Sequence, residues 1–210
     1  MPISSARPKS SQFRAIATIL VVAFALPLLA SCGVNAIPTY QEQAKAAWAQ
    51  VLNQYQRRTD LIPNLVATVK GAANFESKTL QAVVEARAKV GQMQLPADVL
   101  TNPQAMQTFE QNQAGLTSAL SRLLVVSEQY PELKANANFQ TLQAQLEGTE
   151  NRIAVARRDY IGAVQAYNTE LRTFPGRWWA WLLYSDAKEM AQFTIEEKAA
   201  TVPAVNFNQP

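Results

Sequence analysis

The positions Phe139, Leu142, Leu146, Thr149, Ile153, Ala156, Tyr160, Ala163 and Tyr167 recur at alternating steps of three and four residues. That is the spacing of one helix face, and a strand, with its period of two, cannot carry it. With Asn138 as N-cap, the repeat predicts a helix over 139–174, roughly 54 Å long at 1.5 Å per residue. So long a helix cannot cover its own apolar stripe and requires partner helices.

Other stretches supply them. Gly is scarce, at 7 of 210 residues, and Ala, Gln, Leu and Glu dominate, which favours helix. Thr39 and Glu42 form a capping box after Pro38 and predict a helix from Tyr40, with Tyr40, Ala44, Ala47, Val51 and Tyr55 on one face. A second stripe runs through Ile62, Leu65, Val69, Ala72, Val83, Ala86 and Val90, interrupted by the polar Glu76 and Thr79. Residues 91–102 read as a loop. Asn102 then caps a helix opened by Pro103, with Met106, Phe109, Leu116, Leu120, Leu123 and Tyr130 on its stripe, until Pro131 breaks it. The junction at Asp60-Leu61-Ile62-Pro63 has two readings. Asp60 caps a second helix with Pro63 in its first turn, or the first two helices form one long kinked helix. The expectation is an all-α, antiparallel up-and-down bundle of four segments, reducing to three long helices if the first two are continuous.

The N-terminus carries a different signal. Arg7, Lys9 and Arg14 precede a run, Ala15 to Ala30, that is apolar except for Thr18, and Leu29-Ala30-Ser31-Cys32 closes it. The run matches a signal h-region better than a membrane-spanning helix, which needs about 20 apolar residues. Small residues before a cysteine make a bacterial lipoprotein cleavage site, with Cys32 the acylated first residue of the mature chain. The alternative is an uncleaved anchor with Cys32 an incidental thiol. Both place residues 33–210 beyond the inner membrane, because the basic flank stays cytoplasmic. Gly33, rather than the Asp that commonly retains lipoproteins at the inner membrane, favours the outer membrane where the source has two. The expected organisation is a signal peptide over 1–31, a lipidated linker over 32–38, a bundle over 39–174, and an aromatic segment with an extended, packed tail over 175–210.

Composition removes whole classes of chemistry. The chain has no histidine, and Cys32 is its only cysteine. Ser-His-Asp and Cys-His triads, thiol redox chemistry and His- or Cys-based zinc sites all need what is missing. Three of the 19 Lys and Arg lie in the leader, leaving 16 against 16 Asp and Glu. The mature domain is therefore neutral, without the basic excess of a nucleic-acid binder.

Candidate contacts are few. Arg57, Arg58 and Asp60 cluster near one helix junction, and Arg157 and Arg158 lie on the last long helix. They read either as an anion or partner-binding patch or, with both signs interspersed, as caps, ion pairs and solvated faces. The plain structural role is the expectation. Glu147 and Glu150 form a carboxylate pair one turn apart, expected to be a neutralised face. Trp178, Trp179 and Trp181, with Arg177 and Tyr184, have the composition of a membrane interface in a segment too short to span. They either touch a membrane or partner, or fold back to seal the end of the bundle.

Two longer stretches, QRRTDLIPNLVATVKGA from Gln56 to Ala72 and EGTENRIAVARRDYI from Glu147 to Ile161, resemble the signature segments of the LemA family. Supporting pieces lie at 128–140, 167–168, 174–175 and 203–207. The resemblance implies a membrane-associated helical bundle with no established enzymatic activity. One departure stands out: where the family commonly has His-Glu after Val-Lys-Gly, this chain has Phe75-Glu76.

Together these readings lead to a membrane-tethered, non-enzymatic scaffold or interaction module of the bacterial cell envelope. It needs no cofactor or metal, is held by acylated Cys32, and has a protein partner and no nucleic acid. The alternative is a carrier whose bundle opens for a hydrophobic small molecule or peptide.

Overall fold

The computed structural model describes residues 33–71 and 76–193. Cys32 and its leader, Phe75 and the 203–207 segment lie outside that range. Among the described residues six helices follow in order: α1 Ala36–Lys70, α2 Ser77–Gly91, α3 Pro103–Ser127, α4 Pro131–Lys134, α5 Ala137–Arg172 and α6 Gly176–Leu183. No strand occurs among the described residues.

The architecture is an up-down-up-down bundle. α1 and α5 make the most extensive pairing and α2 and α3 the next. Trp48 meets Tyr160 and Arg58 meets Glu150, so α1 and α5 run antiparallel. Tyr55 meets Phe109 and Arg58 meets Thr117, so α3 runs with α1.

The break between the first two helices is not at Asp60–Pro63. α1 continues through Pro63 to Lys70, and α2 begins beyond Glu76, whose carboxylate accepts from the Thr79 hydroxyl at 2.9 Å. The polar interruption of the second stripe therefore marks the true boundary. A proline inside a helix withdraws one N–H and crowds the carbonyl four residues back. Here that carbonyl belongs to Thr59, and Arg87 Nε from α2 donates to it at 3.3 Å. Ile62, Leu65, Val66 and Val69 are all buried around Pro63. Tertiary packing holds the helix where local chemistry alone would end it.

Two other caps move. α1 starts at Ala36, ahead of the Thr39–Glu42 box, with Asn35 at its N-cap. α5 is capped by Asn136, not Asn138: its side-chain oxygen accepts from the backbone N–H groups of Asn138 and Phe139. Asn102 caps α3 as expected, accepting from Gln104 and Ala105. Along α5 the stripe stands, except that Val164 takes the fully buried position beside the half-buried Ala163.

The interior is divided in two. One core is aromatic, with Trp48, Tyr55, Phe109, Tyr160, Tyr167 and Phe193 at its centre. The other is aliphatic, built from Ile62, Leu65, Val69, Leu116, Leu123 and Leu146 with Phe139. The loop after α2 and the chain after α6 both pack on the aromatic core. The Asn168 side chain accepts from Met190 N and donates to Met190 O, each at 2.9 Å, and Tyr160 Oη donates to Ala191 O at 2.8 Å. Ala191 N in turn donates to Leu100 O. These bonds pin an extended segment across the bundle.

Candidate functional site

Between the two cores lies a polar layer centred on Arg58, which is only 1% exposed. One terminal nitrogen donates to Thr117 Oγ1 at 2.7 Å and Glu150 Oε1 at 2.8 Å; the other donates to Gln113 Oε1 at 2.6 Å and Gln113 O at 3.3 Å. The guanidinium also sits 5.0 Å from the Tyr55 ring centroid. One side chain of α1 thus ties α3 and α5 together. Arg58 Nε finds no acceptor. A buried charge survives only when paired and hydrogen-bonded, and Glu150, with a 40% exposed side chain, is its ionic partner.

The adjoining aromatic core perturbs its tyrosines. Burial pushes the Tyr160 phenol well above the ordinary tyrosine range. Burial also raises Tyr55, with the Arg157 and Arg58 charges partly offsetting it. Tyr167 is raised by burial as well, and its hydroxyl has no partner. These groups stay neutral near pH 7, so they strengthen packing rather than supply a base.

At one end of the bundle, α6 presents two different faces. Trp179 and Ala180 pack on the aromatic core, and Tyr184 Oη donates to Val34 O at 3.1 Å. Gly176 is buried against α5, where an added Cβ would lie 2.1 Å from Glu170 O, so only glycine fits. The opposite face is open. Trp178 is 69% exposed and Trp181 81%, flanked by Phe174, Leu182 and Leu183. Phe174 and Trp178 stack edge to face, 5.4 Å between centroids. Gly33, at φ 115°, lies against this helix: a Cβ there would be 3.6 Å from Pro175 Cγ and 3.8 Å from Trp179 Nε1.

The family model for the LemA family matches residues 47–207. The chain belongs to the LemA family. Among relatives, the magnetosome protein MamQ of Magnetospirillum gryphiswaldense is 24% identical over 207 residues, covering 91% of this chain and 74% of that protein. Magnetosome proteins MamQ 1 and MamQ 2 of Paramagnetospirillum magneticum are each 32% identical over 91 residues, covering 43% of this chain. The alignment spans about a third of those two relatives (32%).

In this LemA-family chain the charged residues singled out from the sequence separate. Arg57, Asp60 and Arg158 are exposed. Asp60 accepts from Gln56 Nε2 within α1, at 2.8 Å, rather than capping a helix. Arg157 turns inward, its guanidinium 4.3 Å from the Phe193 ring centroid and 3.8 Å from Glu110. Arg58 alone joins the polar layer. Glu147 accepts from Gln143 and Glu150 from Arg58, so the two acids serve separate contacts. The aromatic segment also divides, with Trp179 and Tyr184 inward and Trp178 and Trp181 outward.

Gln113, Thr117 and Glu150 as partners of Arg58 were not anticipated. A signal existed for two members of the layer: Arg58 falls between Tyr55 and Ile62, and Gln113 between Phe109 and Leu116, at steps of three and four. A charged or amide side chain in an apolar stripe marks a buried polar layer. Among the described residues, no group of three or more His, Cys, Asp or Glu is arranged to hold a metal. No described helix is long and apolar enough to cross a membrane.

Proposed function

We propose that this LemA-family chain is a membrane-tethered helical scaffold of the bacterial cell envelope. It has no catalytic activity, is anchored through acylated Cys32, and engages a protein partner through its exposed helix faces. The observation that carries this reading is the entry of the chain into the bundle. Val34 O accepts from Tyr184 Oη, and a Cβ at Gly33 would lie within 4 Å of Pro175 and Trp179, so the chain enters the bundle beside α6. A lipidated Cys32 is one peptide bond from Gly33, so the bundle starts almost at the anchor and its far end stands clear of it.

The lack of catalysis is supported by residue types. The sequence has no histidine, its one cysteine is the proposed anchor, and its one promising carboxylate pair is committed to other contacts. The carrier reading has less behind it. A groove of about 580 Å³ between α1 and α5, lined by Ala46, Ala47, Gln50, Gln54, Val155 and Ala156, is open to solvent rather than enclosed. Arg58 and its partners occupy the space between the two cores.

The test is intact-mass analysis of membrane fractions from cells expressing the wild type or Cys32→Ser. The wild type should carry acyl mass on Cys32, while the variant should accumulate as uncleaved precursor without lipid. Normal processing of the variant would sink the proposal.

A further inference from the structure

The open face of α6 is unusual for this molecule. Eight large hydrophobic residues are exposed among the described ones, and five of them are Phe174, Trp178, Trp181, Leu182 and Leu183. The other three, Val84, Val125 and Val155, are scattered over separate helices. Trp178, Trp181 and Leu182 fall at i, i+3 and i+4 on α6, a single stripe, and Phe174 in the turn before it packs edge to face on Trp178. The helix is not loosely placed, because Gly176, Trp179 and Tyr184 fix its other face. A clustered apolar surface on a fixed element marks an interaction site.

We propose that this aromatic face lies in the headgroup region of the bilayer that holds the N-terminus, so that the bundle is docked at its end as well as tethered. The proposal rests on the membrane-tether reading and adds a contact to it. What decides the occupant is where the chain outside the described residues arrives. The apolar run 15–30 and Cys32 lead into Gly33, where a Cβ would come within 4 Å of Pro175 and Trp179. The next residue's carbonyl, Val34 O, accepts from Tyr184 Oη at the end of α6. One peptide unit spans only about 3.8 Å, and each polar layer of a bilayer is about 5–8 Å deep. An anchor at residue 32 therefore puts α6 at the membrane surface, whether the anchor is acyl chains on Cys32 or the apolar run itself.

The side chains suit that place. Tryptophan favours the boundary between acyl chains and water, and Phe and Leu beside it add apolar area. Nearby charges include both signs: Arg177 and Lys188 against Glu170 and Asp186, with Arg172 bonded to Glu189. The contact is thus chiefly apolar, and anionic lipid is not required. With α1 and α5 each roughly 50 Å long, docking at this end sets the aliphatic core and α4 at the far end.

The experiment uses the full chain in phosphatidylethanolamine–phosphatidylglycerol vesicles containing phosphatidylcholine brominated near the top of its acyl chains. Two of the chain's four tryptophans are on the open face, so bromolipid should quench about half of the tryptophan emission. Trp178→Ser with Trp181→Ser should abolish most of that quenching, whereas Trp48→Phe should leave it in place. Circular dichroism should show unchanged helix in the double variant, since both side chains are exposed. Native chain that floats with the vesicles but is not quenched overturns the docking proposal and leaves the tether standing. Emission that depends on protein concentration and ignores bromolipid assigns the face to a second copy, and also overturns it. Chain that does not float removes the tether and the docking together.

Discussion

Arg58 and Glu150, 92 positions apart, form a 2.8 Å ion pair in which the cation is sealed inside the bundle and the carboxylate reaches solvent. That asymmetry makes the two partners unequal. Arg58 cannot recover hydration if its counter-ion is lost, whereas Glu150 can turn towards water. Glu150→Ala should cost about 3 kcal/mol, the low end for a stranded buried charge. Arg58→Met keeps the apolar stem and strands only the buried Gln113 amide, since Thr117 is exposed and still donates to Gln113 O, so it should cost about 1–2 kcal/mol. Urea denaturation of both variants checks the order; equal or reversed costs would refute the asymmetry.

Pro63 and Arg87 should be energetically coupled. Arg87 donates to the Thr59 carbonyl that Pro63 leaves without its helical N–H. Pro63→Ala restores that N–H. Arg87→Met should then cost about 1 kcal/mol in the native background and markedly less beside Pro63→Ala. A double-mutant cycle gives the coupling directly, and a value near zero would show that the bond contributes nothing.

The glycines divide by their surroundings. A Cβ at Gly115 or Gly162 meets nothing within 4 Å, and both lie inside exposed helix. Gly115→Ala and Gly162→Ala should each stabilise the fold by about 0.5–1 kcal/mol. At Gly176 the clash with Glu170 O is with backbone and cannot be relieved by a side-chain rotation. Gly176→Ala should destabilise by about 1–3 kcal/mol or undock α6. Thermal melts, with Trp emission as a second probe, separate the cases.

Stability should fail on the alkaline side. Burial raises the phenols of Tyr160, Tyr55 and Tyr167 in the folded state. A raised acid contributes stability that is fully present below the unfolded value near 10 and lost as pH rises towards the folded value. One proton sets a limit of about 1.4 kcal/mol per pH unit, which Tyr160, with its large shift, should approach above pH 10, while Tyr55 and Tyr167 add in the same direction. With no histidine in the chain, none of this falls between pH 5 and 8. Denaturation midpoints measured from pH 7 to 11 test the onset, and a midpoint unchanged at pH 11 would contradict it.

Much of the fold is legible in the residues. The α5 stripe and the Asn102–Pro103 start of α3 follow from local rules that tertiary context leaves alone, whereas α3 ends at Ser127, short of Tyr130, and Pro131 opens α4 instead of ending α3. Pro63 is where those rules mislead. Its cost is local, but the buried Ile62, Leu65, Val66 and Val69 and the donor at Arg87 come from elements that sequence spacing does not place. The aromatic segment was legible as unusual and not as two-faced, because which face of α6 turns inward depends on Gly176 meeting Glu170 and Tyr184 meeting Val34.

By itself the sequence determined the helical class, the lengths that force helices to pair, and the absence of the residue types that most catalysis needs. Those properties belong to periodicity and composition, which no folding step can alter. Only the tertiary structure decided that Arg58 becomes a buried tie between three helices while Arg57 and Arg158 stay in water. Only it brought Gly33 against Pro175 and Trp179. Burial and long-range proximity are properties of packed pairs of elements, and a one-dimensional pattern shows which positions share a face without showing what that face meets.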